Sequence, residues 1–328
     1  MEFRTIKDMN SIINEKIHIV PRDIELVVGV PRSGILPAAM IALLLNCQMT
    51  DLDSFLRGEI YSCGKTKSNA GWIDNVSDAK KILVVDDSIC SGNALNDVIK
   101  KIEDLPAKPQ ILTLCVYAAP ATKDLIDIYM EIVPVPRMFE WNYLHHGKLG
   151  EACFDIDGVL CCDPTPEQND DGSNYKEFIL NAPVKYRPTA EIGCLVTSRL
   201  EKYRKETELW LKKNNIAYKK LVMLQLSSME ERQKLNCHGQ FKAQYYKKAT
   251  NSNIFIESEP AQAVEIANLT KKPVYCTGNQ EFYAGDGIYS LKVSTIHKMA
   301  RFKRMIKKLP FVEAVYKNIK KLLQGNKK

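Results

Sequence analysis

The stretch Lys81 to Leu95, KILVVDDSICSGNAL, constrains this chain more than any other. From Ile82 a short, mostly branched apolar run reads as a buried parallel strand. Two carboxylates, Asp86 and Asp87, stand at its C-terminal end. A turn of small residues follows (Ser88, Cys90, Ser91, Gly92, Asn93, Ala94), and a helix is expected to open at Leu95. Small side chains let successive backbone N–H groups converge on one anion, and a helix N-terminus adds partial positive charge. Acids beside such a nest suit a sugar phosphate, the carboxylates taking the ribose hydroxyls and the nest the phosphate. On spacing alone, an ordinary strand–turn–helix with solvated acids is the competing reading.

The order of apolar strand, paired acids and Ser-rich loop with glycine resembles the phosphoribosyl-pyrophosphate (PRPP) motif of type I phosphoribosyltransferases. Cys90 is the one departure from the usual small or acidic residue. The resemblance implies PRPP contacts along Asp86, Asp87, Ser88, Ile89, Cys90, Ser91, Gly92, Asn93 and Ala94. Ile24 to Val30 is a second buried-strand pattern, followed by Pro31-Arg32-Ser33-Gly34 and an apolar helix from Ile35 to Leu45. That loop is again an anion site, with Arg32 able to pair with phosphate. It looks like the pyrophosphate loop of the same family, which brings in Arg32, Ser33 and Gly34. Between the two lies a segment from Asp51 to Lys80 whose Ser/Gly/Asn content suggests a mobile loop. In the resembling enzymes a loop here closes over the reacting centre, so Lys65 and Lys67 would neutralise the departing pyrophosphate; solvated loop lysines are the alternative. Further strands are expected at Gln110 to Tyr117 and Ile132 to Pro136, giving alternating strand and helix with a parallel sheet.

The resemblance implies Mg2+-dependent, inverting transfer from PRPP. The C1–pyrophosphate bond breaks through an oxocarbenium-like state, and Mg2+ and cationic side chains stabilise the charge that leaves. These motifs do not name the acceptor. Phe139-Glu140-Trp141-Asn142-Tyr143, with His145 and His146 beside it, suits stacking on a sugar or a base, or equally a packed seam to a second domain.

Ala152 to Leu160, ACFDIDGVL, places Asp155 at the end of an apolar strand and Asp157 two residues on. This resembles the first motif of the haloacid dehalogenase (HAD) superfamily. There the first Asp attacks phosphorus, and the second protonates the leaving oxygen and later activates water. Further parts follow in order: Gly193 to Thr197 ends in the Thr197 hydroxyl, with Ser198 and Arg199 after it. Lys242 is the best lysine to offset charge between nucleophile and phosphate, Lys247 and Lys248 being rivals. Asn253 to Ile256 leads into Glu257-Ser258-Glu259, where the superfamily more often has aspartates. The resemblance implies Mg2+ held by Asp155, Asp157 and an acid from that segment, Glu257 favoured over Glu259. Part of the stretch between Asp155 and Thr197 is the segment Asp163 to Pro188, rich in Asp, Asn, Pro and Gly, and no space exists there for a large cap. A helix from Leu200 to Asn214, a strand from Lys220 to Leu224 and a connector are expected before Lys242.

The expected fold class is therefore α/β with two Rossmann-like domains: a type I phosphoribosyltransferase fold over residues 1–148 and an HAD-like fold with a small cap over 149–290. A basic amphipathic helical tail follows over 291–328. The chain has 328 residues, enough for two cores, and its 45% hydrophobic and 26% charged content fits a globular protein. Ten scattered cysteines form no metal or disulfide framework, so a reducing cytoplasm is the simpler reading, and the first residues carry no secretory pattern. The net charge of +7 divides into +11 from Leu291 onward and −4 for the rest. In the tail, apolar residues recur every three or four positions opposite Lys/Arg. Such a tail reads as a membrane-surface element on the inner face, with docking onto the acidic body or nucleic-acid binding as competitors; no nucleic-acid motif supports the last.

Transfer from PRPP leaves a 5-phosphate, which a fused phosphatase would remove. The pairing resembles bacterial ribofuranosyl-transfer systems of polysaccharide assembly. It implies a glycan or lipid-linked glycan acceptor, and a homodimer is among the partners considered. The alternative is a nucleobase phosphoribosyltransferase coupled to a nucleotidase; a regulatory PRPP sensor is a third class.

Overall fold

The computed structural model describes residues 1–64 and 71–289. Lys65, Lys67 and the basic tail lie outside the described residues.

The first half is built on a parallel sheet of β2 (Leu26–Gly29), β3 (Gln48–Asp51), β4 (Lys81–Ile89), β5 (Gln110–Ala118) and β6 (Ile128–Ile132), in the order β3-β2-β4-β5-β6. Its apolar strands run without polar breaks because both faces are covered. Val27, Leu83 and Val85 pack against α1 (Ile6–Lys16) and α2 (Ile35–Leu45). Leu26, Val28, Ile82 and Val84 pack against α3 (Leu52–Leu56) and α4 (Asn93–Glu103) on the other side. The chain reverses its direction of travel across the sheet between β2 and β4. In open α/β sheets such a switch point leaves a crevice at the strands' C-terminal ends. The Arg32 loop and the Asp86–Asp87 loop both open there.

The second half repeats the scheme. Its sheet has the order β10-β9-β8-β11-β12-β13: β8 (Ala152–Phe154), β9 (Cys194–Leu200), β10 (Leu221–Leu224), β11 (Ile254–Glu257), β12 (Val274–Cys276) and β13 (Glu281–Tyr283). All pairings are parallel except the last. One face packs against α5 (Ser173–Asn181) and α6 (Arg204–Lys213), the other against α8 (His238–Lys248) and α9 (Pro260–Thr270). The switch point falls between β8 and β11, so Asp155 and Glu257 emerge side by side. No helix among the described residues is long and apolar enough to cross a membrane.

Several expected elements shift. The acid-bearing strand continues to Ile89, and its helix opens at Asn93 instead of Leu95. The strand expected from Ile132 to Pro136 is replaced by two: β6 ends at Ile132, and β7 (Arg137–Phe139) begins after a gap of four residues. Pro134 and Pro136 explain the gap, since proline lacks the N–H a ladder needs. The Asp/Asn/Pro/Gly-rich segment from Asp163 to Pro188 contains α5, whose Tyr175, Phe178 and Ile179 are buried at helical spacing. The helix expected from Leu200 starts only at Arg204, because β9 runs on to Leu200. The connector before Lys242 holds a further helix, α7 (Met229–Leu235).

A two-stranded parallel pair of the first half, β1 (Glu2–Arg4) against β7, lies where the halves meet. Phe3 leaves this pair to stack on Tyr275 at 4.6 Å and Phe282 at 5.3 Å, with Tyr143 edge-on. Glu140 accepts from the Tyr275 hydroxyl at 2.6 Å and from the Ile6 N–H at 2.6 Å. Aromatic burial of this size dominates the local energetics. Phe3→Ala should lower unfolding stability by about 3–5 kcal/mol, read by chemical denaturation; a change under about 1 kcal/mol means the seam is marginal.

Candidate active sites

Residues distant in sequence meet at the first crevice. Gly34 is required by close approach: a Cβ there would stand 2.6 Å from the Val30 carbonyl oxygen and 2.7 Å from that of Val85. The tight passage brings Ser33 to Asp87, whose Oδ1 accepts from the Ser33 hydroxyl at 2.9 Å. The other oxygen accepts from the Trp141 indole N–H at 2.7 Å. Asp86 accepts from the Asp87 N–H at 2.8 Å. Among the described residues neither acid has a Lys or Arg within 4.0 Å. Burial and the neighbouring Asp87 charge push Asp86 up to about 7.

The small-residue turn follows. Gly92 takes the left-handed conformation, φ 83°, immediately before α4. Cys90, Ser91, Asn93 and Ala94 are exposed around it and Ser88 is half-buried, while Arg32 projects into solvent from the neighbouring loop. Ile89 departs from expectation: its side chain is buried in the core against α4, leaving only its backbone at the turn. Sequence reasoning missed Arg137. This buried guanidinium donates to the Ile89 carbonyl at 2.6 Å and to those of Val133 and Tyr117 at 3.2 and 3.3 Å, anchoring the strand end beneath the turn. Burial pulls its pKa down.

The aromatic stretch packs in two places, Phe139 in the core of the first half and Tyr143 against the second. Phe139 and Tyr143 are buried, and Glu140 is engaged by Tyr275. Trp141 is half-buried beside Asp87, stacked on Phe139 at 4.8 Å.

The second crevice holds a cavity of about 380 Å³ lined by Asp155, Asp157, Ser198, Arg232, Lys242 and Glu257 among others. Lys242, wholly buried on α8, donates to Asp155 at 2.7 Å, Glu257 at 2.7 Å and Gln262 at 2.8 Å. Two carboxylates thus share one ammonium. Burial, with the charges of Glu257 and Asp157, outweighs the pull of Lys242 and pushes Asp155 up to about 8, while Asp155 and Glu257 outweigh burial at Lys242 and push its pKa up. Lys247 and Lys248 are exposed and take no part.

Three of the expected site features are arranged differently from the sequence pattern. Thr197 is fully buried and its hydroxyl accepts from the Arg199 N–H at 3.2 Å; the next residue, Ser198, lines the cavity instead. Successive strand residues face opposite sides, so a shift of one position exchanges them. Arg199, wholly buried, grips both oxygens of Asp157 at 2.7–3.2 Å and opposes its burial enough to hold the carboxyl below its usual range. Asp157 is thereby kept charged, which disfavours proton donation. The four acids Asp155, Asp157, Glu257 and Glu259 do not form a metal cage: no group of three or more His, Cys, Asp or Glu among the described residues stands close enough. Lys242 fills the place between Asp155 and Glu257, and Glu259 is an exposed helix cap.

The Asp86 shift has a testable consequence. A buried acid with a raised folded-state pKa costs stability once the unfolded chain ionises. Asp86→Asn should therefore be more stable than the wild type above pH 7, by about 1–3 kcal/mol, the gap closing as pH falls to 4. Thermal unfolding across that range checks it, and a constant or inverted gap refutes it.

Comparison with known proteins adds to this geometry. Residues 2–146 match the family model of the phosphoribosyl transferase domain. A xanthine-guanine phosphoribosyltransferase of Chromohalobacter salexigens is 31% identical over 112 residues, which is 34% of this chain and 64% of that protein. Among solved structures, a Helicobacter pylori xanthine-guanine-hypoxanthine phosphoribosyltransferase aligns with 19% identity and a TM-score of 0.33, over 43% of this chain and 92% of that one. A Pyrococcus horikoshii purine phosphoribosyltransferase aligns with 20% identity and a TM-score of 0.31, over 42% and 92%. With the parallel α/β sheet and the family match over the same residues, residues 2–146 are a type I phosphoribosyltransferase domain.

Proposed function

We propose that the first crevice transfers the 5-phosphoribosyl group of PRPP to a nitrogenous base and that the second hydrolyses a phosphomonoester. The observation that carries the first part is the uncompensated acid pair, with Asp87 fixed by Ser33 and Trp141, beside the Gly92 turn and the start of α4. Fixed carboxylates suit the ribose hydroxyls, and the turn with its helix N-terminus suits the 5-phosphate. Mg2+, which the family implies, would enter with the pyrophosphate; Asp86 and Asp87 are hard oxygen donors free of competing cations, and the ion would stabilise the leaving charge. In the transfer, the C1–oxygen bond to pyrophosphate breaks with its electron pair. A base nitrogen lone pair forms the new bond to C1, and its proton passes to solvent.

The base acceptor is supported by the purine substrates named for the relatives and by Trp141, a half-buried ring placed at the acid pair. A glycan acceptor draws less support. Of the aromatic residues that suggested sugar stacking, Tyr143 packs at the seam and Phe139 in the core of the first half, and the tail that suggested a membrane lies outside the described residues. For the second crevice, Asp155 is the candidate nucleophile: once ionised, its carboxylate attacks phosphorus and displaces the ester oxygen, which takes a proton from solvent, and water then cleaves the aspartyl-phosphate to return the Asp155 carboxylate and free phosphate. Asp157, held charged by Arg199, suits activation of that water.

The test is incubation with PRPP, Mg2+ and, separately, guanine, xanthine, hypoxanthine, adenine and a glycan panel, read by pyrophosphate release and product mass. A purine should release pyrophosphate and Asp87→Asn should cut the rate at least about 100-fold. Asp155→Asn should leave the phosphorylated nucleoside uncleaved. Release with a glycan alone overturns the base reading, and release with no acceptor at all overturns the transferase reading.

A further inference from the structure

The donors of the second crevice are unevenly spent. An ammonium has three protons, and Lys242 has given all three to Asp155, Glu257 and Gln262. Arg199 is wholly buried and largely engaged, its guanidinium bonding Asp157, Thr207 and Cys161. The two cations that most resemble phosphate ligands in the sequence are thus taken up mainly by the protein itself.

The unspent donors lie elsewhere on the wall. Arg232 Nε and Ser198 Oγ are both buried and have no hydrogen-bond partner. They belong to one unit, because Arg232 Nη1 donates to the Ser198 carbonyl at 3.0 Å. Among the described residues Arg232 has no carboxylate within 4.0 Å, although acids line the same cavity. Lys185 on the same wall has spent one proton, on the Gly158 carbonyl at 2.6 Å. Helix α7 carries Arg232 and is tied down at its first turn: Asp171 accepts from the Met229 N–H at 2.9 Å and from the Tyr203 hydroxyl at 2.9 Å, and pairs with Lys202. The guanidinium is therefore presented by a fixed element.

Buried donors left open against a cavity call for a ligand that only accepts. A guanidinium beside a hydroxyl matches an oxyanion with several oxygens, which a phosphoryl group supplies. We propose that Arg232 is the anion-specificity residue of this crevice and that, with Ser198, it seats the phosphoryl group of a phosphomonoester, to one side of the saturated Lys242. The proposal rests on the phosphomonoester reading for the identity of the ligand. The seat itself rests on the geometry alone.

Crystals of the full chain soaked in tungstate, a phosphate mimic visible by anomalous scattering, test the seat directly. The wild type should show a peak within hydrogen-bond reach of Arg232 Nε and Ser198 Oγ. Arg232→Gln should lose that peak while any peak at the Ser91–Asn93 turn persists as an internal control, and Arg232→Lys should keep it at reduced height. A wild-type cavity without a peak, or a peak that survives Arg232→Gln, overturns the seat. A kinetic arm separates this from the hydrolase reading. If ribose 5-phosphate is hydrolysed, Arg232→Gln should raise KM at least about tenfold with kcat changed less than about threefold, and an unchanged KM overturns the specificity role. If the wild type hydrolyses no monoester, the hydrolase reading falls and the tungstate result alone decides the seat. Pyrophosphate release by the other crevice reports that both variants are folded.

Discussion

The Asp87 carboxylate is the point on which the first half turns. Its two oxygens bond a serine 54 positions earlier and a tryptophan 54 positions later, so the pyrophosphate-type loop, the acid strand and the aromatic stretch are joined by one group. The junction exists because Gly34 lets two strand ends approach more closely than any side chain would permit. Hydrogen bonds to an ionised acceptor are the stronger kind, and here they also fix orientation. Asp86 accepts only the Asp87 N–H, which burial and the neighbouring Asp87 charge outweigh in pushing its pKa up.

The two crevices share a topology and differ in charge logic. Each lies where its sheet reverses the order of strand addition, and each displays acids from a strand end. The first leaves its acids without cationic partners and so favours a ligand that arrives with hydroxyls or a metal ion. The second neutralises its acids internally, with Lys242 between Asp155 and Glu257 and Arg199 on Asp157, and keeps its open donors on a different wall. A buried acid–cation set of this kind is costly to break by removing a single partner, since the survivor is stranded in low dielectric.

What was legible in the sequence was whatever local chemistry writes down. Strand, acids, small turn and helix lie contiguously from Lys81 to Leu95, and α2 has the bounds its apolar run suggested. Asp155, Lys242 and Glu257 meet as their order implied. The misses have a common cause. Arg137 bonds only backbone carbonyls, and the one protein bond of Arg232 into the cavity wall is also to a carbonyl, partners that leave no residue-type signature. Thr197 and Ser198 are adjacent hydroxyls whose roles depend on strand phase, which composition does not reveal. Helix α5 was hidden by the polar residues around its three buried side chains.

One consequence follows from the neighbours Glu140 and Trp141. Across a single peptide bond, one side chain grips Tyr275 in the second half and the other grips Asp87 in the first. A division of the chain near residue 148 would therefore not yield two finished modules. The front piece would carry away a bared phenylalanine and an indole whose backbone had lost its brace. The rear piece would show an uncovered aromatic floor at its sheet edge. The two crevices share one covalent body in which each half helps to hold the other's walls upright.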